Sequence, residues 1–236
     1  MSDGWAILGT MARLPGGFDA ASSGCYEASR AAHLSGVPIS TLYDWARKGV
    51  IVPSISPVQE KLWSYADLMA LRLVAWLRRP KSLGPDERLP GNPMTAVRAA
   101  LRALEEHQIP VWSEDAEEES PIVVDQRGSI FIRVRGQYQD LGGNIALPHE
   151  QAFGLLSPFQ LGDLRGPDLR KPRPELRIVP ARVAGEPHVA HTRITTQTLL
   201  AVADRGYSIE RVAKMYGIST SAVGDALDLE RVLAAA

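Results

Sequence analysis

Apolar and polar positions change period several times along this 236-residue chain. The first regular stretch, Glu27 to Ser35, sets Ala28, Ala31 and Ala32 on one face, as a short helix requires. Gly36-Val37 turns the chain. Ser40 to Lys48 then carries Leu42 and Trp45 inward at i, i+3, and Gly49 stops that second helix. Prolines at 53 and 57 make residues 50–63 a loop or small hairpin. Ser64 reads as the N-cap of a helix through Leu77, whose apolar face is Leu68, Leu71, Leu73, Val74 and Leu77.

The stretch RRPKSLGPDERLPGNP is a Pro- and Gly-rich hinge or loop, after which Thr95 is a candidate cap for a helix to His107 carrying Val97, Leu101 and Leu104. From there the period falls to two. PIVVDQRGSIFIRV predicts two strands joined at Asp125 to Gly128, with a further short strand at Gln137 to Leu141. Leu164 to Arg177, rich in Pro and Arg, predicts an extended linker, and Leu176 to Pro180 an edge strand. Three helices follow, at about Thr195 to Ala203, Ser208 to Tyr216 and Ser219 to Leu233, with Ser208 and Ser219 as caps and Gly206 and Gly217 as stops. The expected fold class is mainly α with a small β meander (α+β). The expected division is a mobile arm at 1–25, a helix–turn–helix domain at 26–82, a middle α+β segment at 83–162, a linker at 163–175 and a helical domain at 176–236.

Composition narrows the function classes. Apolar content of 45% is that of an ordinary globular protein. No 18-residue apolar window predicts a membrane span, and the N-terminal segment lacks the basic start and long apolar run of a secretory signal. The single Cys25 cannot form an internal disulfide, which fits a reducing cytoplasm. The net charge of -1 hides an asymmetry. Residues 26–82 hold eight Lys+Arg against four Asp+Glu, residues 83–162 six against twelve, and residues 163–193 seven against four. An acidic middle between basic segments suits a protein that holds a polyanion at one end and a different partner elsewhere; alternatively, the run Glu114 to Glu119 is only a solvated loop.

Enzyme motifs are poor, and the chain reads as a non-enzyme with no cofactor. His188 and His191 are three apart but lack a third ligand in register, so no metal site is expected. No phosphate-binding Gly-rich loop or nucleophile elbow is present, and Cys25 has no local base to activate it. Chemistry points instead to binding. A helix–turn–helix reads DNA with a second helix anchored by apolar contacts and polar on its far side. With Leu42 and Trp45 inward, Ser40, Thr41, Tyr43, Asp44, Arg47 and Lys48 are the candidate DNA-facing residues, joined by Lys61 from the following loop. A plain helical hairpin shares the same grammar.

The segment Cys25 to Arg79 resembles the N-terminal domain of MerR-like regulators over most of its length. The resemblance is carried by Tyr26, Gly36-Val37, Ser40-Thr41-Leu42, Trp45, Gly49, Trp63-Ser64 and Asp67-Leu68. It departs at Tyr43 and Asp44, where that family has arginines, and at Lys61-Leu62, where its wing is more basic; the long dimerising coiled coil is missing. Pro187 to Leu227 is similar to the helical family known as domain of unknown function 433. The matching positions include Pro187, Val189, Thr192-Arg193-Ile194, Leu200, Gly206, Ser208, Tyr216, Ser219 and Ala226-Leu227, with His191 where that family has Gly. Members often act as VapB-type antitoxins.

Taken together, these resemblances imply an antitoxin of a type II, VapBC-like system. It would repress its own operator as a homodimer through the MerR-like head and neutralise a PIN-domain ribonuclease toxin. Arg165, Arg170, Arg173, Arg177 and Arg193 are then the candidate toxin-binding residues, cations aimed at an acidic metal site. The second helix–turn–helix, at Tyr207 to Leu227, is expected to bury Ile209, Val212, Ala213, Ile218, Val223 and Leu227. Its outward Asp225, Asp228 and Glu230 would repel phosphate, so it reads better as a dimerising or partner-binding module. Two other function classes remain open: a stand-alone DNA-binding regulator, and a protein–protein adaptor that has lost DNA binding.

Overall fold

The computed structural model describes residues 24–82, 88–107, 122–125, 127–145, 159–161 and 164–235. The acidic run at 114–119 and almost all of the N-terminal arm lie outside them. Within them the class is the expected one, mainly α with small antiparallel sheets of two or three strands.

Short helices open the described chain because small apolar residues recur at helical spacing. Helix α1, Ala28–Ser35, buries Ala28, Ala31, Ala32 and Leu34 and ends at Gly36, whose φ of 69° closes the helix in the left-handed region. Strand β1, Tyr26–Glu27, precedes it and pairs antiparallel with β2, Leu62–Trp63, with Tyr26 opposite Trp63. Helix α2, Ile39–Arg47, follows the turn, and the loop after it returns through a bridge between Ser56 and Leu62.

Helix α3, Tyr65–Arg78, is at the centre of the described core: from Tyr65 to Leu77 every residue but Ala66 is buried. A helix apolar nearly all round belongs inside a protein, and α1 packs on one side of it and α4, Met94–Glu106, on another. Its start is fixed by a capping box, in which Ser64 Oγ accepts the Asp67 N–H at 3.2 Å and Asp67 Oδ2 accepts the Ser64 N–H at 2.8 Å. Asp67 Oδ2 also accepts the Ser54 N–H and hydroxyl, at 2.8 and 2.7 Å, tying the loop after α2 to the same cap.

Strands β3, Lys81–Ser82, and β4, Arg88–Leu89, lead into α4. Thr95 is not its cap, since the helix begins one residue earlier. Strands β5, Ile122–Val124, β6, Ile130–Val134, and β7, Gln137–Asp140, form the expected meander. Its first turn is held by Asp125 Oδ1, which accepts the N–H groups of Arg127 and Ser129 at 2.9 Å. The apolar side of α4 packs on β6, so Val97, Leu101 and Leu104 share one core with Ile122, Ile130 and Ile132.

The segment expected to be an extended linker is built into the fold. Strand β9, Leu164–Gly166, forms a hairpin with β8, Phe159–Leu161, and Leu169 and Pro172 are buried. The cause is polar as much as apolar. Arg72, fully buried on α3, donates from Nη1 to the Pro167 carbonyl at 2.5 Å, and the Tyr65 hydroxyl donates to the Leu169 carbonyl at 2.7 Å. Burial pushes the Arg72 pKa down to about 10.

The C-terminal region starts with β10, Leu176–Arg177, paired antiparallel with β11, His188–Val189. Helices α5, Thr196–Ala203, α6, Ile209–Tyr216, and α7, Thr220–Ala234, pack on one another. Thr195, Ser208 and Ser219 cap them, each side chain accepting an N–H three residues on. Ile209, expected in the core, is 38% exposed because it opens α6 at the solvent end, while Val212, Ala213, Val223 and Leu227 are buried as expected. Among the described residues no helix is long and apolar enough to cross a membrane.

Candidate nucleic-acid interface

Leu42 anchors α2 in the core with no exposed surface, and Trp45 packs partly buried beside it. The opposite side is open. Ser40, Tyr43, Arg47 and Lys48 are exposed, and Thr41 is half-buried. Asp44 stands between the cations: its Oδ1 lies 2.5 Å from Arg47 Nη2 and its Oδ2 2.7 Å from Lys48 Nζ. Hydrogen bonding from Lys48, and then from Arg47, holds the Asp44 carboxyl below its usual range. One acid between two cations leaves a single net positive charge on this face. Both cations are well exposed, so water screens the pairs and a phosphate can take their place.

In the loop after α2, Lys61 Nζ donates to the carbonyls of Pro57 and Val58, at 3.1 and 3.3 Å. The cation expected on sequence grounds to face DNA therefore braces the tip of this loop. Apolar side chains are also presented here: Ile39 and Tyr43 on α2, and Ile55 and Val58 on the loop that follows it.

The candidate toxin-binding arginines are not brought to one place. Arg165 lies in β9, and its side chain is outside the described residues. The Arg170 backbone is held by the Asp168 carboxylate and by Ile178. Arg173 Nε pairs with Asp228 Oδ2 on α7 at 2.8 Å, and Arg177 Nη1 donates to the carbonyls of Pro174 and Leu176. Arg193 is exposed, in the turn between β11 and α5.

That turn explains one sequence departure. His191 has a φ of 61°, a left-handed conformation that Gly would adopt more freely. His191→Gly is therefore expected to raise stability by about 1 kcal/mol in urea unfolding. His188, by contrast, is fully buried. Its Nδ1 donates to the Glu186 carbonyl at 2.8 Å, and burial keeps its pKa below the usual histidine value. Among the described residues no three His, Cys, Asp or Glu side chains converge as a metal site.

No signal in the amino-acid sequence points to the joint between α1 and the C-terminal helices. Arg30, on α1, donates from both Nη atoms to the two carboxylate oxygens of Glu230 on α7, each at 2.9 Å, and from Nε to Glu186 Oε2 at 2.8 Å. Thr196 donates its hydroxyl to Glu230. Burial opposes the Arg30 charge, but the bonds from Glu230 and the charge of Glu186 outweigh it and raise its pKa. Burial also raises the Glu186 carboxyl, against the pull of Arg30. Glu230, expected on the outward face of α7, is thus buried because α1 supplies its counter-charge.

Beside this cluster the chain turns through three consecutive residues at positive φ, Val183 at 44°, Ala184 at 55° and Gly185 at 81°. A β-branched residue there is strained. Contacts with the start of the head hold it: Cys25 N donates to the Ala184 carbonyl at 2.9 Å, and the buried Tyr26 hydroxyl to that of Gly185 at 2.7 Å.

Residues 177–229 match the family described as protein of unknown function DUF433. No curated protein matches the chain. Among solved structures, the crystal structure of Rv2018 from Mycobacterium tuberculosis is similar, with 17% identity over 86% of this chain and 96% of that one, at a TM-score of 0.48.

Proposed function

From a DUF433 domain at the C-terminal end, we propose that the protein acts by binding rather than catalysis, as an antitoxin that represses its own operator. The head, residues 26–82, would read a palindromic operator as a homodimer. The observation that carries this reading is the build of α2, which seats Leu42 in the core and turns Ser40, Tyr43, Arg47 and Lys48 outward. The partner would be a PIN-domain ribonuclease in the cytoplasm, blocked by a cation placed among its metal-binding carboxylates. Arg193 is the best placed of the candidate arginines, being exposed where Arg173 and Arg177 are engaged within the chain.

A mobility shift on the DNA upstream of the protein's own reading frame, taken across a salt series, tests the DNA half. Arg47→Ala with Lys48→Ala is expected to flatten the slope of log K against log salt by about 1.8, since each phosphate contact contributes about 0.9. An unchanged slope would remove α2 from the interface. The toxin half is tested by co-expression with the product of the neighbouring gene: Arg193→Ala should lose neutralisation, and full neutralisation would clear that residue.

A further inference from the structure

The carboxylates that argued against DNA binding by the C-terminal helix–turn–helix all have partners within the chain, although Asp228 stays exposed at the surface. Glu230 is inside the protein against Arg30, and Asp228 is paired with Arg173. Asp225 accepts the Glu175 backbone N–H at 2.9 Å. All three lie beyond Gly224, so the first turn of α7 carries no acid. What remains open to solvent there is small and polar: Ser219, Thr220 and Ser221 are exposed, and nothing comes within 4 Å of a Cβ built on Gly224.

Helix α6 adds charge beside this turn. Arg211 and Lys214, at i, i+3, are both exposed, while Val212 and Ala213 face the core. Arg211 is steadied over the Tyr207 ring, 4.7 Å from its centroid. The acid of α6, Glu210, sits in its first turn, where its own backbone N–H and Ser208 hold its carboxyl low. Gly217, left-handed at a φ of 66°, sets the bend between α6 and α7. Cations on one helix, a small uncharged turn on the next and a close bend between them form the surface that a phosphate backbone fits.

We propose that the C-terminal helix–turn–helix is a second contact with duplex DNA, made by the exposed side of α6 and the first turn of α7. It rests on the reading of the protein as a DNA binder, but not on the head making the contact. Arg211 and Lys214 neutralise phosphates, and the lack of a side chain at Gly224 lets the duplex approach the α7 backbone. The buried joint between Arg30 and Glu230 ties this unit to α1, the helix that precedes α2.

The test uses the full-length protein with two duplexes, its own upstream DNA and an unrelated sequence of equal length, in titrations across a salt series. Arg211→Gln with Lys214→Gln should flatten the log–log salt slope by about 1.8, independently of and additively with the α2 pair. Gly224→Leu separates contact from fold: it should raise the melting temperature, because Leu favours helix more than Gly, while weakening DNA binding several-fold. Wild-type binding with slope and affinity unchanged in both tail variants overturns the second contact and leaves the head's role standing. Binding lost in the tail variants but not in the α2 variant supports the second contact and moves the interface away from the head. A wild-type protein that shifts neither duplex overturns both.

Discussion

Arg30→Ala is expected to lower stability by about 3–5 kcal/mol, the usual result of stranding a buried charge by removing its partner. Two carboxylates, Glu186 and Glu230, lose their bonds at once, and the Thr196 hydroxyl is left with an acid that has no counter-ion. Urea unfolding followed by tryptophan fluorescence measures the loss, and a shift below about 1 kcal/mol would mean that water reaches the cluster. The companion measurement replaces all three members by apolar residues of similar size. Such a change is often neutral in buried ion clusters, so a triple variant close to wild type would show that the charges select the partner surface rather than hold it together.

Gly185→Ala should cost about 3 kcal/mol or more, although it adds one methyl group. At a φ of 81° an L side chain is strained, which alone costs about 1–2 kcal/mol. The added carbon would also overlap the Tyr26 hydroxyl and lie 2.8 Å from its Cζ, displacing a buried hydrogen bond worth about another 1–3 kcal/mol when its acceptor is left bare. Tyr26→Phe is the milder control, since it removes the hydroxyl and keeps the ring. If Gly185→Ala proves no worse than Tyr26→Phe, the strained turn relaxes more readily than its hydrogen bonds suggest.

What could be read along the sequence was local. Ser64, Ser208 and Ser219 announce their helices because a cap acts over three residues. Leu42 fell inward because i, i+3 spacing is a helix property, and the meander showed in a change of period. The candidate face on α2 was legible for the same reason, and so were its departures. That Asp44 pairs with both Arg47 and Lys48 follows from i+3 and i+4 spacing. The unread part lies across long separations. Arg173 looked available because Asp228 is 55 residues away, and Glu230 looked outward because helical spacing cannot reveal a counter-charge 200 residues away. Residues 163–175 read as a linker because Pro and Arg are rare in cores, yet their carbonyls accept from Tyr65 and Arg72 on the central helix. The left-handed run at Val183 and Ala184 had no local signal, since those residues disfavour it and contacts from the distant Tyr26 and Cys25 help hold it.

The joint also imposes an order on synthesis. Arg30 leaves the ribosome 200 residues before Glu230. At about 5–20 residues per second its side chain waits about 10–40 seconds for its partner. Throughout that interval the head lacks the surface against which its first helix is fixed. Nascent or interrupted chains therefore carry α1 and α2 without the buried counter-charge that the C-terminal helices supply to α1.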